Sequence, residues 1–370
     1  MIYYVYCKTT EYRTENIYIS CRKGYIMSLK KITLGKTGLV VTKTGMGCLP
    51  VQRCETDYAV ELLRKAYEGG ITYFDTANAY TDSEKKIGLA LADVRKNIVI
   101  STKSQDRTRD GVLRHIENSL DMMKTDYIDL FQLHQIPEVY TPDDPEGCYA
   151  GALAAKEQGM VKHIGFTAHS VSVAEQAIDS GLYETCQFPF SYISNERDLA
   201  LAERCRKADM GYIAMKGLAG GLLTNARACQ AFMNSYDNVV PIWGIQRLEE
   251  LEEWLALGQE DISLDEELVA FIEKERSELS HSFCRSCGYC MPCTVGIEIR
   301  NCARMAQLIR RSPWQQYMTD EWHEKMQQIN NCVGCGKCSA KCPYGHDVPA
   351  LLKANLLDYN EFYASHKDLL

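Results

Sequence analysis

The chain has 370 residues and a formal net charge of -8, which leaves room for one large domain and a smaller one. That charge argues against the basic face that nucleic-acid binding needs. No apolar run approaches the roughly 18 residues of a membrane span, and the Tyr-rich first 27 residues lack the continuous apolar stretch of a secretory signal.

Residues 1–26 carry no clear period, whereas Met27-Ser28-Leu29-Lys30-Lys31-Ile32 opens a cleaner pattern. Met27 is therefore read as the natural start and the segment before it, within the 1–27 extension, as disordered or artefactual, the alternative being a short packed arm. The apolar β-branched segments 31–34 and 39–42, with Gly35 and Gly38 between them, predict a hairpin, and a strand follows it before Cys48. An alternation then begins. Helical spacing of Ala59, Leu62, Leu63 and Ala66 predicts a helix over 56–68, stopped by Gly69-Gly70. Strands are predicted at 71–75, 97–102, 127–133, 161–166, 184–190, 211–215 and 239–242. Helices are predicted at 83–92, 109–123, 147–158, 172–179, 196–208, 225–234, 246–256 and 264–280. Eight strands alternating with helices mean parallel βα units, and Ser28–Ser280 has about the length of a (β/α)8 barrel. An open doubly wound sheet is the rival. It wants a Gly-rich phosphate loop after its first strand, and Thr44-Gly45-Met46-Gly47-Cys48 is a poor match.

Of the 17 cysteines, Cys7, Cys21, Cys48, Cys54, Cys148, Cys186, Cys205, Cys229 and Cys302 are scattered, and most read as small buried hydrophobes. The others form two runs. Cys284-x2-Cys287-x2-Cys290-x2-Cys293 comes first, and Cys332-x2-Cys335-x2-Cys338-x3-Cys342-Pro343 follows. Such spacing reads as metal binding. Structural zinc is the alternative, but zinc needs four ligands and no more, so four cysteines per run suit it badly. The second run resembles the bacterial ferredoxin pattern, which implies two [4Fe–4S] clusters. Carrying over its cross-ligation, one cluster would use Cys284, Cys287, Cys290 and Cys342, and the other Cys332, Cys335, Cys338 and Cys293. The first run departs from the pattern by ending after two residues rather than three, with Thr294 where Pro is usual. The long segment between the runs is predicted helical at Ile297–Arg311 and Asp320–Ile329. Residues 281–370 are accordingly expected to form an α-helical ferredoxin-like domain.

A barrel places working residues at the C-terminal ends of its strands. Asp75 ends one strand, with Tyr80 five residues on; Lys103 and His134 end the next two. The set suits carbonyl reduction. Hydride addition leaves an alkoxide that needs a proton, and Tyr80 can supply it. The Lys103 ammonium would lower the phenol pKa from about 10. Asp75 would hold Lys103, and a neutral His134 would orient the carbonyl oxygen. Any one of these alone is more often structural; four at neighbouring strand ends point to a site.

On Phe74-Asp75-Thr76-Ala77-x2-Tyr80, Lys103, Asp126-Tyr127-Ile128-Asp129-Leu130-x2-Leu133-His134 and Gly159-x-Val161-Lys162-x-Ile164-Gly165, the barrel resembles the aldo/keto reductase family. The tail, through Cys287-Gly288-Tyr289-Cys290-Met291-Pro292-Cys293, resembles the ferredoxin extension of one bacterial and archaeal branch. The resemblance covers nearly everything from Met27 onward. It implies an NADP(H) or NAD(H) site on the same rim, with Gln187 on the nicotinamide carboxamide and Phe190 stacked on the ring. It places His169 and Ser170 where the family has Ser-Asn, and Gln246 and Arg247 near the adenosine-phosphate pocket. The basic residues that grip a 2′-phosphate are sparse there. The substrate, a small aldehyde, ketone or alcohol, should meet Leu49-Pro50-Val51, the 137–147 loop and Leu218–Gly221.

A nicotinamide moves two electrons as a hydride and a cluster moves one, so direct exchange needs a converter such as flavin, for which the sequence carries no signal. Three readings follow: a reductase whose clusters serve a carrier or redox partner protein, a conventional reductase with structural or sensing clusters, and an electron-transfer protein with the barrel as docking scaffold. Oxygen-labile clusters predict a cytoplasmic, anaerobic setting.

Overall fold

The computed structural model describes residues 28–279 and 283–366. The extension expected at 1–27 and the domain boundary expected at 280/281 lie outside the described residues.

The hairpin β1 (Lys31–Thr33) and β2 (Val40–Thr42) pairs antiparallel. Then β3 (Gly45–Gly47) begins the barrel, followed by α1 (Thr56–Glu68), β4 (Tyr73–Asp75), α2 (Ser83–Leu91), β5 (Val99–Ser104) and α3 (Arg109–Met123). Next come β6 (Ile128–Leu133), α4 (Cys148–Glu157), β7 (Val161–Thr167), α5 (Val171–Asp179), β8 (Thr185–Pro189) and α6 (Glu196–Lys207). The barrel ends with β9 (Gly211–Met215), α7 (Ala226–Asn234), β10 (Val239–Gly244), α8 (Leu248–Gln259) and α9 (Glu266–Leu279). Strands β3 to β10 close in sequence order, every neighbouring pair parallel.

The pattern explains the architecture. Strands buried on both faces are rich in apolar residues, with polar ones such as Ser101, Lys103 and Gln132 towards their C-terminal ends, and each helix buries one stripe, such as Ala59, Leu62, Leu63 and Ala66 of α1. Inside the barrel, Tyr73, Leu130, Ile213, Val240 and Ile242 pack with Leu34 and Val41 of the hairpin segment. The hairpin thus plugs the N-terminal end, and only the opposite rim is left for chemistry. Gly165 is required by close packing, because a Cβ there would lie 2.0 Å from the Thr185 hydroxyl oxygen on β8.

The tail is helical, as expected, with one correction. The helix predicted over Ile297–Arg311 is broken into α10 (Ile299–Cys302) and α11 (Met305–Arg311), with Ala303 and Arg304 at the joint. The cause is Asn355. Its side-chain oxygen accepts from Ala306 N–H at 2.9 Å and its amide donates to the Ala303 carbonyl at 3.3 Å, so the break leaves neither group orphaned. The tail also holds α12 (Asp320–Gln327), α13 (Lys337–Ala340) and α14 (Val348–His366); α14, which carries Asn355, has no counterpart among the predicted elements.

Candidate active site

Side chains alternate across a strand, so residues two apart share a face. Asp75 follows the inward Tyr73, Lys103 follows Ser101, and His134 follows Gln132. All of these reach the same rim. Lys103 Nζ lies 2.7 Å from Asp75 Oδ1, also donates to the Thr76 carbonyl, and is 1% exposed. Ser101 Oγ donates to Asp75 Oδ2 at 2.6 Å, and Gln132 Nε2 approaches the same oxygen at 3.4 Å. Gln132 also donates to Gln187 Oε1 at 2.7 Å. A buried ion pair holds only if its remaining hydrogen-bonding capacity is met, and these neighbours meet it.

Tyr80 sits above this pair, with Lys103 Nζ 5.1 Å from its ring centroid and the His134 ring edge-on at 6.0 Å. The structure corrects one expectation. Burial pushes the Tyr80 phenol up, Lys103 pulls it down by less, and Asp75 pushes it up again, so its pKa lies above the ordinary value of 10. Tyr80 is therefore a protonated acid at neutral pH, suited to donating a proton rather than to resting as phenolate. For Lys103, burial pulls down, but attraction to Asp75 and Tyr80 outweighs it and keeps the ammonium charged. Burial, then Lys103 and Arg107, lower His134 to about 3. It is neutral in ordinary buffers, as a hydrogen-bonding orienter must be. Its Nδ1 has no partner, and its carbonyl accepts from Arg107 Nη2 at 2.7 Å.

Asp75 and Tyr80 open into a cleft of about 460 Å³ that also meets Gly47, Leu49, Pro50, Arg53, Gln187, Met215, Lys216, Gly217, Gly220, Gly221, Trp243, Gly244, Gln246 and Glu250. Its many glycines let a ligand approach the backbone closely. Gln187 and Gln246 line it. Arg247 flanks it, 68% exposed in its side chain and paired with Glu250 at 2.9 Å. Glu250 also accepts from the backbone N–H groups of Gln246 and Arg247 at 2.9 and 3.0 Å, which places a carboxylate at the α8 N-terminus.

Three expected contacts lie elsewhere. Phe190 is three residues past the inward-facing Gln187, hence on the opposite face. Its ring packs with Tyr212, Phe232 and Tyr236 under the helices. Met215, paired in register with Pro189, and Trp243 line the cleft in its place. His169 and Ser170 are covered by the tail: the Tyr289 ring meets His169 edge-on at 5.4 Å and Tyr344 Oη lies 3.5 Å from its Nδ1. Ser170 caps α5 and faces a separate cavity shared with Arg285 and Tyr344. Sequence reasoning missed Ser101, Gln132, Met215, Lys216, Trp243 and Glu250. Ser101 and Gln132 were findable as polar residues two positions before a strand-end ionisable group.

The cysteines of the tail line two cavities. Cys284, Cys287, Cys290 and Cys342 face one, walled by Ile299, Ala303, Val348 and Leu351. Cys293, Cys332, Cys335 and Cys338 face the other, walled by Ile297, Ile299, Pro349 and Leu352, with Cys290 at its edge. Among the described residues no three His, Cys, Asp or Glu side chains draw together around a point fit for a single ion. Thiols spaced around an apolar void suit a cubane with four corners. Cys302 stays apart: fully buried, its thiol pushed up to about 12 by burial, its sulfur 3.7 Å from the Lys325 carbonyl. Among the described residues no helix is long and apolar enough to cross a membrane.

Comparison with known proteins agrees with this geometry. Residues 43–263 match the model of the aldo/keto reductase family, and residues 283–347 match that of a 4Fe-4S dicluster domain. An uncharacterized oxidoreductase of Bacillus subtilis, YqkF, is 25% identical over 260 residues, covering 66% of this chain and 83% of its own. L-galactose dehydrogenase of Arabidopsis thaliana is 28% identical over 210 residues, 52% of this chain and 66% of its own. Among solved structures, an aldo-keto reductase of Bacillus halodurans superposes with a TM-score of 0.57 at 21% identity, covering 66% of this chain and 96% of its own. One from Klebsiella pneumoniae, in complex with NADPH, gives 0.56 at 20% identity, covering 68% and 96%. At such identities these structures speak for the barrel alone, whereas the family match spans well over half the sequence: the chain belongs to the aldo/keto reductase family, and it carries a 4Fe-4S dicluster domain behind its barrel.

Proposed function

We propose that the barrel, residues 28–280, interconverts a small aldehyde or ketone and its alcohol with a nicotinamide dinucleotide in the cleft, and that the domain at 281–370 passes single electrons to or from a partner protein. The observation that carries the first part is the buried Lys103–Asp75 pair beneath the Tyr80 phenol, beside a neutral His134, at the mouth of a glycine-lined cleft. The cluster domain behind the barrel supports the second.

When bound, the nicotinamide would supply or accept a hydride. This chain's residues do the rest. His134 and Tyr80 hydrogen-bond the carbonyl oxygen and polarise it. Tyr80 Oη then delivers its proton to that oxygen as charge develops there. Lys103, kept charged by Asp75, stabilises the phenolate left behind. Gln187, held by Gln132, offers an amide to the cofactor's carboxamide, and Met215 and Trp243 give its ring apolar walls. The test is anaerobic turnover, followed by loss of reduced-nicotinamide absorbance over a panel of aldehydes and ketones. No oxidation with any of them would sink this reading.

Two expectations follow from the site. His134 titrates near 3 and Tyr80 above 10, so kcat for reduction should stay level from about pH 5 to about pH 9. A pH–rate profile with a break near 6.5 would mean that another histidine governs the step. The second concerns cofactor choice. Glu250 places a negative charge on the N–H groups that a 2′-phosphate would use, so Glu250→Gln, which removes that repulsion, should improve binding of NADP(H) relative to NAD(H) about tenfold, read by titrating each dinucleotide.

A further inference from the structure

The loop from Lys216 to Leu223, one wall of the cleft, is tied to the cluster domain at three points. Lys216 Nζ donates to the carbonyls of Arg285 and Ser286 at 3.3 and 3.2 Å. Arg304 donates to the Gly220 carbonyl at 2.6 Å and reaches that of Ala219 at 3.5 Å. Arg311 Nη1 donates to the Leu222 carbonyl at 3.2 Å. The tethers hold backbone that would otherwise relax: Lys216, Ala219 and Ser286 have φ of 57°, 49° and 53°, a region L-residues rarely occupy.

Arg311 has carboxylate partners in Glu275 and Glu278. Lys216 and Arg304 form no ion pair with a carboxylate among the described residues, although Arg304 is only 3% exposed. Buried cations need a counter-charge. Here the candidates are cluster thiolates: the carbonyls that Lys216 holds lie between Cys284 and Cys287 in sequence, and Arg304 follows Ala303, which walls the cavity those cysteines line. Both cysteines line the cavity that also meets Arg285, which Lys216 and Asp198 of the barrel hold, and so the barrel-side one. A 4Fe-4S cluster held by four thiolates is a net anion, and it gains one more negative charge when it takes up an electron.

We propose that Lys216 and Arg304 are positioning residues shared between the barrel-side cluster and the cleft, so that reduction of that cluster and binding of a dinucleotide oppose one another. This rests on the nucleotide reading of the cleft given above. The sign follows from charge. Lys216 lines the cleft, and a dinucleotide's pyrophosphate is anionic. An electron added to the cluster makes a second anion compete for the same cations. The step is a one-electron change with no bond made or broken, the electron coming from a one-electron donor. Linkage makes the effect reciprocal: a bound nucleotide must lower the cluster's midpoint potential by the factor by which reduction weakens its binding.

The test uses the full chain with both clusters loaded, under anaerobic conditions, and ADP-ribose as a probe without a nicotinamide to exchange hydride. Its affinity is measured on oxidised and dithionite-reduced protein, and the cluster midpoints are taken by EPR potentiometry with and without it. The expected result is about fivefold weaker binding to the reduced protein, and one midpoint of two lowered by about 40 mV in the presence of the probe. Arg304→Met should lower that same midpoint without ligand and remove most of the difference in affinity. Arg304→Lys should retain more of both. Equal affinity in the two redox states of the unmodified chain overturns the coupling and leaves the nucleotide reading intact; absence of binding in either state overturns both.

Discussion

Tyr80→Phe is expected to lower kcat for carbonyl reduction about a thousandfold while leaving dinucleotide affinity within about twofold, because it removes the proton donor and keeps the ring. It is a cleaner probe than Lys103→Met. Removing Lys103 would strand Asp75 as an unpaired buried charge, costing about 3–5 kcal/mol of stability, so lost activity could not be told from a damaged fold. Tyr80 is partly exposed, and its ring contacts with Lys103 and His134 survive the change. Steady-state kinetics with thermal melts of both proteins decide it. Undiminished turnover in Tyr80→Phe would mean that the proton comes from elsewhere and would favour the barrel as a scaffold.

Cys342→Ala should halve the iron and acid-labile sulfide content, although its three neighbours in sequence order all belong to the other cavity. The geometry groups Cys342 with Cys284, Cys287 and Cys290, so Cys342→Ala and Cys284→Ala should abolish the same EPR signal. Cys293→Ala and Cys335→Ala should abolish the other. Should Cys342→Ala and Cys335→Ala silence one common signal, each run fills its own cluster and the crossed assignment fails. The loss should also be felt in stability, since cluster binding free energy is partly folding free energy. The walls of each cavity, Ile299 and residues of α14 among them, would then face a void.

Acid should act through the two histidines of the rim. Burial holds His134 near 3 and His169 well below its ordinary value. Both take up a proton more readily in the unfolded chain, so their contribution to stability is intact above about pH 6.5. It is lost as the pH falls, by up to about 1.4 kcal/mol per unit for each.

Much of this was legible beforehand because the barrel writes its plan locally. Short apolar strands, turn signals and helical spacing alternate along the chain, and Asp75, Lys103 and His134 each stand at or beside a strand end. What went unread depends on relations that span the chain. Phe190 was misplaced because resemblance fixed its position along the strand, while the two-residue period fixed its face, opposite to that of Gln187. His169 carries no mark of the Tyr289 ring that covers it. The sign of the Tyr80 shift required knowing how deeply the phenol is buried, since the same Lys103 would have won in water. The break at Arg304 comes from Asn355, on a helix whose own pattern is weak, so no window around residue 304 contains its cause.

That joint also orders events in time. The cleft wall at Gly220 is held by Arg304, and the turn that presents Arg304 is held by Asn355. During synthesis from the N-terminus, the barrel strands can close long before residue 355 leaves the ribosome. The Gly220 wall therefore receives this tether only after residue 355 has been made, so a barrel that closes early does so with that wall still untied.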